Sequence, residues 1–394
     1  GFCLHYRDFH PFSRWRHAVN PPAFLVKHNA TLAPLAIIWF GFACTDVADD
    51  RAERDESVGQ YRDASTRIAV DAGLAVVRSV QPDMITLWSS APAWSATIER
   101  LSATALTIDI RNQIPDSALT VTDAEGTNVA VRHEFGAFRT RSRYVIESPP
   151  SRLRLQLTPP RAEQPLAYRF AVLGDIQEAI DRVQDIYRRI ATEPELEFVI
   201  CPGDWTQRGT REQLTRFEQE LEPLPIPFYG TLGNHELGTN PPPYQELFGR
   251  GNLHFHHRGI AFSLLDSGSA MLAPRSMDWL RDWLNEDQER VHVFVTHFPP
   301  IDPIGVRNGS FASRAEAHQL LARLAEGRVD LNLHGHIHSY YAFIAAGIPS
   351  YISGGGGAIP ERFDQMGRHF LVVQLRGGEG TDSGVDSVRV VRVD

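Results

Sequence analysis

The sequence predicts an α/β domain over residues 165–394, preceded by a small all-β sandwich of immunoglobulin or fibronectin-like type over residues 57–164. Three observations carry this reading. Between residues 85 and 159, short runs of alternating apolar and polar residues follow one another without an amphipathic helix. From Tyr168 onward, apolar β-rich runs alternate with helical patterns, the signature of strands buried on both faces. Five of those apolar runs end in an acid, an amide or an imidazole.

Taken in order, ITLWSS, SATIERL, LTIDI, LTVTD, VAVRHEF, YVIESP and LRLQLTP are read as the strands of an antiparallel sandwich. Pro149-Pro150 and Pro159-Pro160 punctuate its end, which places a boundary near Gln164. Beyond it, YRFAVL precedes a helical pattern from Ala179 to Ile190, and LEFVIC precedes one from Arg211 to Leu221. IPFYGTL leads into a Pro-rich loop, VHVFVT precedes a helix from Ser313 to Leu324, and VDLNL precedes a strand pair. A further helix is expected over Ser276 to Glu289, with Met277, Leu280, Trp283 and Leu284 on one face.

The 394 residues suffice for a large buried core, and 42% apolar with 22% charged residues excludes a disordered chain. A net charge of −9 disfavours nucleic acid as the main partner. Three cysteines, none in CxxC spacing, provide no disulfide framework and no thiolate zinc site, so any metal is held by Asp, Asn and His.

The first 56 residues read as an N-terminal extension. Residues 28–45 carry no formal charge and follow Lys27, with Ala30 to Ala43 about the length of an export signal's apolar core and short for a membrane span. Phe42-Ala43-Cys44, followed by the acidic stretch Asp46 to Glu56, resembles a bacterial lipoprotein signal, with Gly41 in place of the usual leucine. The expectation is an exported protein, periplasmic or lipid-anchored to the cell envelope through Cys44, with the acidic stretch as a linker.

The chemistry gathers at the strand ends. They deliver Gly174-Asp175, Gly203-Asp204, Gly233-Asn234-His235-Glu236, His297 and Gly335-His336-Ile337-His338. Open α/β sheets bind ligands outside the carboxyl ends of their strands, so five such motifs imply one crevice. Asp175, Asp204, Asn234, His297, His336 and His338 make a donor set of hard oxygen and borderline nitrogen. A pair of divalent ions about 3.5–4 Å apart needs a bridging carboxylate, and Asp204 is the natural bridge. A water between two such cations loses its proton near neutral pH and becomes a nucleophile toward phosphorus.

These motifs, in this order from about Phe170 to Leu375, resemble the calcineurin-like metallophosphoesterase superfamily, related to purple acid phosphatases. The resemblance implies a four-layer α/β/β/α sandwich and hydrolysis of phosphoric esters, mono- or diesters, by a hydroxide bridging two divalent metal ions such as Mn, Fe or Zn. It implies one ion on Asp175, Asp204 and His338, and a second on Asp204, Asn234, His297 and His336. It also implies that His235 contacts the substrate phosphate or protonates the leaving oxygen. The first motif departs from the commonest Asp-x-His: here it is Asp175-Ile176-Gln177, and Gln177 ligates through its amide oxygen or leaves a water in its place. The position three residues after Asp204 is Gln207 rather than the tyrosine of purple acid phosphatases. The alternative is a degenerate, non-catalytic relative that binds a phosphorylated ligand or partner on the same fold.

Other histidines are read as structural. His254, His256 and His257 lie in LHFHHRGIAF, whose alternation fits a strand, and His334 falls within an apolar run. Gly354 to Gly357 lacks the ending of a phosphate-binding P-loop and is expected to turn tightly beside the site.

Overall fold

The computed structural model describes residues 43–393 except 163, 289, 306–308, 362–364 and 378–383. The apolar run of the expected export signal and residues 1–26 lie outside the described residues, as does the side chain of Cys44. Among the described residues no helix is long and apolar enough to cross a membrane.

The chain enters the described part as helix α1 (Ala43–Ser57), so the acidic stretch expected to be a linker is a helix. One face of it is buried. Ala48 and Ala52 pack on Ala273, and Arg51, 2% exposed, donates from Nε to Asp266 Oδ2 at 2.7 Å and from Nη2 to Ser269 Oγ at 3.1 Å. The Asp55 carboxylate accepts from Gln245 Nε2 and Asn252 Nδ2, both at 2.8 Å, and from the N–H groups of Gly251 and Asn252. These buried ionic contacts are invisible to a composition argument, which reads a run of acids as solvated.

Ten strands follow: β1 (Gln60–Arg62), β2 (Thr66–Val70), β3 (Ala75–Val80), β4 (Met84–Ser89), β5 (Trp94–Arg100), β6 (Leu106–Arg111), β7 (Ala118–Thr122), β8 (Arg132–Phe135), β9 (Ser142–Ile146) and β10 (Arg152–Thr158). They make two five-stranded sheets, ordered β1-β2-β5-β10-β7 and β3-β4-β6-β9-β8. The inward side chains of both, among them Ile68, Leu87, Ile98, Ile108 and Leu155, form one apolar cluster. The three strands before Ile85 have no counterpart in the sequence reading. In β3 an irregularity between Val77 and Ser79 breaks the alternation that would have marked it. The pairing is not wholly antiparallel either, because β4 and β6 run parallel.

The α/β part begins with β11 (Tyr168–Val172), then a 3₁₀ segment Gln177–Arg182 and α2 (Gln184–Ala191), where the sequence suggested one helix. It continues with β12 (Leu196–Cys201), α3 (Arg211–Leu221), β13 (Phe228–Gly230), α4 (Tyr244–Leu247), β14 (Leu253–His257), β15 (Ile260–Leu265) and α5 (Pro274–Glu286). Then come β16 (His292–Thr296), α6 (Arg314–Glu326), β17 (Leu331–His334), β18 (Tyr340–Ala345), β19 (Ile348–Ser353), β20 (His369–Arg376) and β21 (Gly384–Arg392). One sheet is ordered β13-β12-β11-β20-β21 and the other β14-β15-β16-β17-β19-β18. Phe170, Phe198, Phe262, Val293 and Leu333 lie in the cluster between them. Leu214 and Phe217 of α3 and Ile186 of α2 cover the first sheet, while Leu280 of α5 and Leu320 of α6 cover the second. The helix starts follow local rules: Thr210 Oγ1 accepts from Gln213 N, Ser313 Oγ from Glu316 N, and Pro274 opens α5.

In the first sheet β11, β12 and β13 run parallel, and in the second β15, β16, β17 and β19 do, so several carboxyl ends converge on one side. The β-rich segment is fastened to this part within one compact unit, residues 41–394. Asn112 donates to Ser89 O and Phe228 O and accepts from Phe228 N, and Arg78 and Arg111 both pair with Glu218 of α3. Trp88 meets Phe248 edge-on, ring centroids 5.2 Å apart.

The α1 anchorage generates a prediction. Arg51→Ala strands the buried Asp266 carboxylate and should cost ~3–5 kcal/mol in urea unfolding. Glu53→Ala, on the exposed side of the same helix, should change stability by less than about 0.5 kcal/mol.

Candidate metal centre

Asp175 follows β11, Asp204 follows β12, Asn234 and His235 follow β13, His297 follows β16, and His336 and His338 follow β17. All five motifs therefore leave their strands at the carboxyl ends. Three of these residues make the exit with left-handed backbone, Asp175 (φ 59°), Asp204 (φ 55°) and His336 (φ 69°), as does Gln177 (φ 49°) two positions after Asp175. Each such non-glycine residue costs of order 1 kcal/mol or more, and strain of this kind gathers at functional sites.

The side chains meet around Asp204, which is 1% exposed. Its Oδ1 accepts from His235 N at 2.9 Å. Its Oδ2 lies 2.8 Å from Gln177 Nε2 and 3.4 Å from His297 Nε2. On one side, Asp175, Asp204 and His338 bring ligand atoms within 4.8 Å of one another, with His338 Nε2 3.6 Å from Asp175 Oδ1. On the other, Asn234 Oδ1 is 2.9 Å from His297 Nε2 and 3.1 Å from His336 Nδ1. The structure thus brings together all seven residues singled out as ligands. His338 is oriented from behind by its Nδ1, 2.7 Å from Ile359 O, and the backbone N–H of His336 donates to both oxygens of Asp175.

This donor set fits a pair of divalent cations. Two buried carboxylates, one amide oxygen and three imidazoles combine hard and borderline ligands, as Mn, Fe or Zn require. The His297 imidazole is available as a neutral ligand: burial, and then the neighbouring His235 and His338, lower its pKa to about 3. Burial raises the Asp204 pKa, opposed by His235, Gln177 and His336, and a cation beside this carboxylate would favour its charged form further. Gln177 is the weak member. Its amide nitrogen faces Asp204 Oδ2 and His338 Nε2 (3.1 Å), and only the flipped amide would present oxygen to an ion.

His235 stands apart from the ligand groups. Its Nδ1 lies 2.8 Å from Gln207 O, which makes Nδ1 the protonated nitrogen, and its Nε2 lies 3.9 Å from Asp204 Oδ2. The ring is 28% exposed, so Nε2 is within reach of a substrate.

Sequence reasoning missed Glu236. This fully buried carboxylate accepts from Gly233 N (2.8 Å), Asp204 N (3.0 Å), Thr206 N (3.0 Å) and Thr206 Oγ1 (3.3 Å), tying the second motif to the third. Burial, and then the adjacent Asp204, push its pKa up to about 8. Its place in Gly-Asn-His-Glu was on view, but a carboxylate facing backbone has no sequence signal of its own. The glycines serve close approach: a Cβ at Gly233 would overlap Asp204 Oδ1, and one at Gly335 would press on Asp175 Oδ2. Gly354 to Gly357 pack against the first and last motifs, with Gly356 N donating to Gly174 O at 2.9 Å. His334 is buried, its Nδ1 2.8 Å from Thr296 Oγ1.

Glu236→Gln places an N–H against backbone N–H groups and loosens both loops. The metal affinity of the purified chain should fall by about 10–100-fold, as measured by titration against a competing chelator.

Comparison with known proteins agrees with the geometry. Residues 168–340 match the family model described as calcineurin-like phosphoesterase. A 3',5'-cyclic-nucleotide phosphodiesterase of Nostoc sp. is 25% identical over 158 residues, 38% of this chain and 58% of the relative. A probable glycerophosphodiester phosphodiesterase of Arcobacter nitrofigilis is 27% identical over 160 residues, 37% of this chain and 58% of the relative. The chain thus spans 58% of the length of each of these curated relatives. Among solved structures, a purple acid phosphatase from yellow lupin (Lupinus luteus) seeds aligns with a TM-score of 0.48 at 14% identity, over 76% of this chain and 72% of that one. With five strand-end motifs drawn into one centre, residues 168–340 are similar in sequence to the calcineurin-like phosphoesterase family.

Proposed function

We propose that this chain hydrolyses phosphoric esters, with phosphodiesters the first class to test, at a centre for two divalent ions. The observation that carries the reading is the position of Asp204 Oδ2 between two ligand groups, Asp175 with His338 and Asn234 with His297 and His336. Two curated phosphodiesterases among the relatives support the diester preference. Bound divalent ions would lower the pKa of water toward neutrality and stabilise charge on phosphoryl oxygens. The chain's own groups do the rest. His235, with Nδ1–H fixed on the Gln207 carbonyl, presents Nε2 to the phosphate or to the departing oxygen, where the doubly protonated ring serves as hydrogen-bond donor or general acid. Glu236 and the glycines hold Asp204 at the meeting point of the loops.

The surrounding parts fit an accessory role. The two sheets of residues 60–158 are an immunoglobulin or fibronectin-like sandwich that supports the phosphoesterase domain without contributing to the ligand set. The uncharged run of residues 28–45 supports export as the route of this chain, with activity in the cell envelope.

A second reading, a non-catalytic binder of phosphorylated ligands, is favoured by one observation only, the amide nitrogen of Gln177 turned toward Asp204 and His338. Metal analysis with assays of aryl phosphate mono- and diesters, with and without added Mn²⁺ or Zn²⁺, separates the two. The enzyme reading expects two metals per chain and turnover that disappears in Asp204→Asn. One metal or none, with no turnover, sinks it. His235→Ala should lower kcat by about 10²–10⁴-fold while metal content stays near that of the parent; loss of metal in that variant would reassign His235 as a ligand.

A further inference from the structure

We propose that His254, His256 and Asp287 form an additional binding site for a divalent ion of the zinc class, separate from the phosphoesterase centre. His254 and His256 sit two apart on β14, on the same face of the strand, and Asp287 caps the C-terminus of α5, which covers that face. The three side chains bring ligand atoms within 4.8 Å of one another. Asp287 Oδ2 lies 2.9 Å from His254 Nε2 and 3.0 Å from His256 Nε2, while Oδ1 lies 3.0 Å from Arg290 Nε and 2.8 Å from His256 Nε2. By strand register His256 is level with His292, five residues before His297, so the cluster sits roughly 16 Å back along the strands from the main centre.

The hydrogen-bond pattern accommodates a cation. The His254 side chain is 9% exposed, and its Nε2 makes no aligned hydrogen bond despite the nearby carboxylate. Its Nδ1 lies 3.0 Å from Ser263 Oγ, and the same hydroxyl lies 2.8 Å from His292 Nε2. Ser263 has one hydrogen to share between the two rings. With an ion on His254 Nε2, Nδ1 donates to Ser263 and that hydroxyl donates to His292, so the one hydrogen serves both rings. Ser263 then fixes the ring from behind, and Arg290 holds the other carboxylate oxygen. Trp283 stacks on His254 at 5.1 Å and 14°, which restricts its rotation. Two imidazoles and one carboxylate are the donor set of zinc sites that keep a fourth position open, and His256, 43% exposed, marks the side on which that position meets solvent.

The test uses the full chain in the Asp204→Asn background, which weakens the main centre, dialysed against buffered Zn²⁺. His256→Ala in that background should hold one zinc equivalent fewer per chain, and His256→Ala alone should leave phosphoesterase turnover unchanged. Equal zinc content with and without His256→Ala in the Asp204→Asn chain overturns the proposal and leaves a hydrogen-bonded His–Asp cluster. Anomalous scattering at the zinc edge from crystals of the parent protein decides independently of any variant: a peak among His254, His256 and Asp287 is expected, and a zinc-loaded crystal without one refutes the site.

Discussion

The structure turns on one buried carboxylate. Asp204 is almost fully excluded from water, yet both of its oxygens are engaged by groups from other strand ends. A charge in that position is tolerable only where cations or donors surround it. The loops after β11, β12, β13, β16 and β17 are arranged to provide that surrounding. Glu236 adds a second buried acid behind the first, and its three backbone donors lock the conformation in which Asp204 faces the crevice. The candidate metal centre and its scaffold are therefore one electrostatic problem with one solution.

Local strain follows from that demand. A side chain leaving a strand end in ordinary extended backbone would continue the strand direction, and five such side chains would not converge. Left-handed residues at Asp175, Gln177, Asp204 and His336 turn the chain within one residue, and glycines beside them remove the Cβ atoms that would otherwise fill the space taken by ligand oxygens. The run Gly354 to Gly357 belongs to the same device, closing backbone to backbone over the first motif. The conformational cost is carried by the large apolar clusters on both faces of the two central sheets.

The parts outside the centre are fastened to it by polar contacts as well as by apolar packing. Helix α1 is held through Arg51 on Asp266 and Asp55 on the Gly251-Asn252 backbone, and the β-rich segment through Asn112 and the Glu218 pair of arginines. Buried polar contacts fix orientation because they are satisfied in one geometry only. Asp266 follows β15, on the same side of its sheet as the strand ends that carry the ligands, so α1 is docked close to the functional edge.

The motif residues and their order along the chain were legible from sequence, since glycine beside an acid, amide or imidazole at the end of an apolar run is a local pattern. The alternation of strands and helices after residue 168 was legible for the same reason. β3 was hidden by its broken register, α1 by its acidic composition, and Glu236 by an unremarkable place in a motif whose other members drew the chemistry. The His254-His256 pair read as ordinary strand residues because Asp287, about thirty positions on, enters only when α5 packs over β14. Which oxygen faces which nitrogen, and which way the Gln177 amide turns, was decided by packing alone. Periodicity and turn chemistry act between near neighbours and are written in the sequence, whereas the meeting of groups from distant strands depends on how sheets and helices stack.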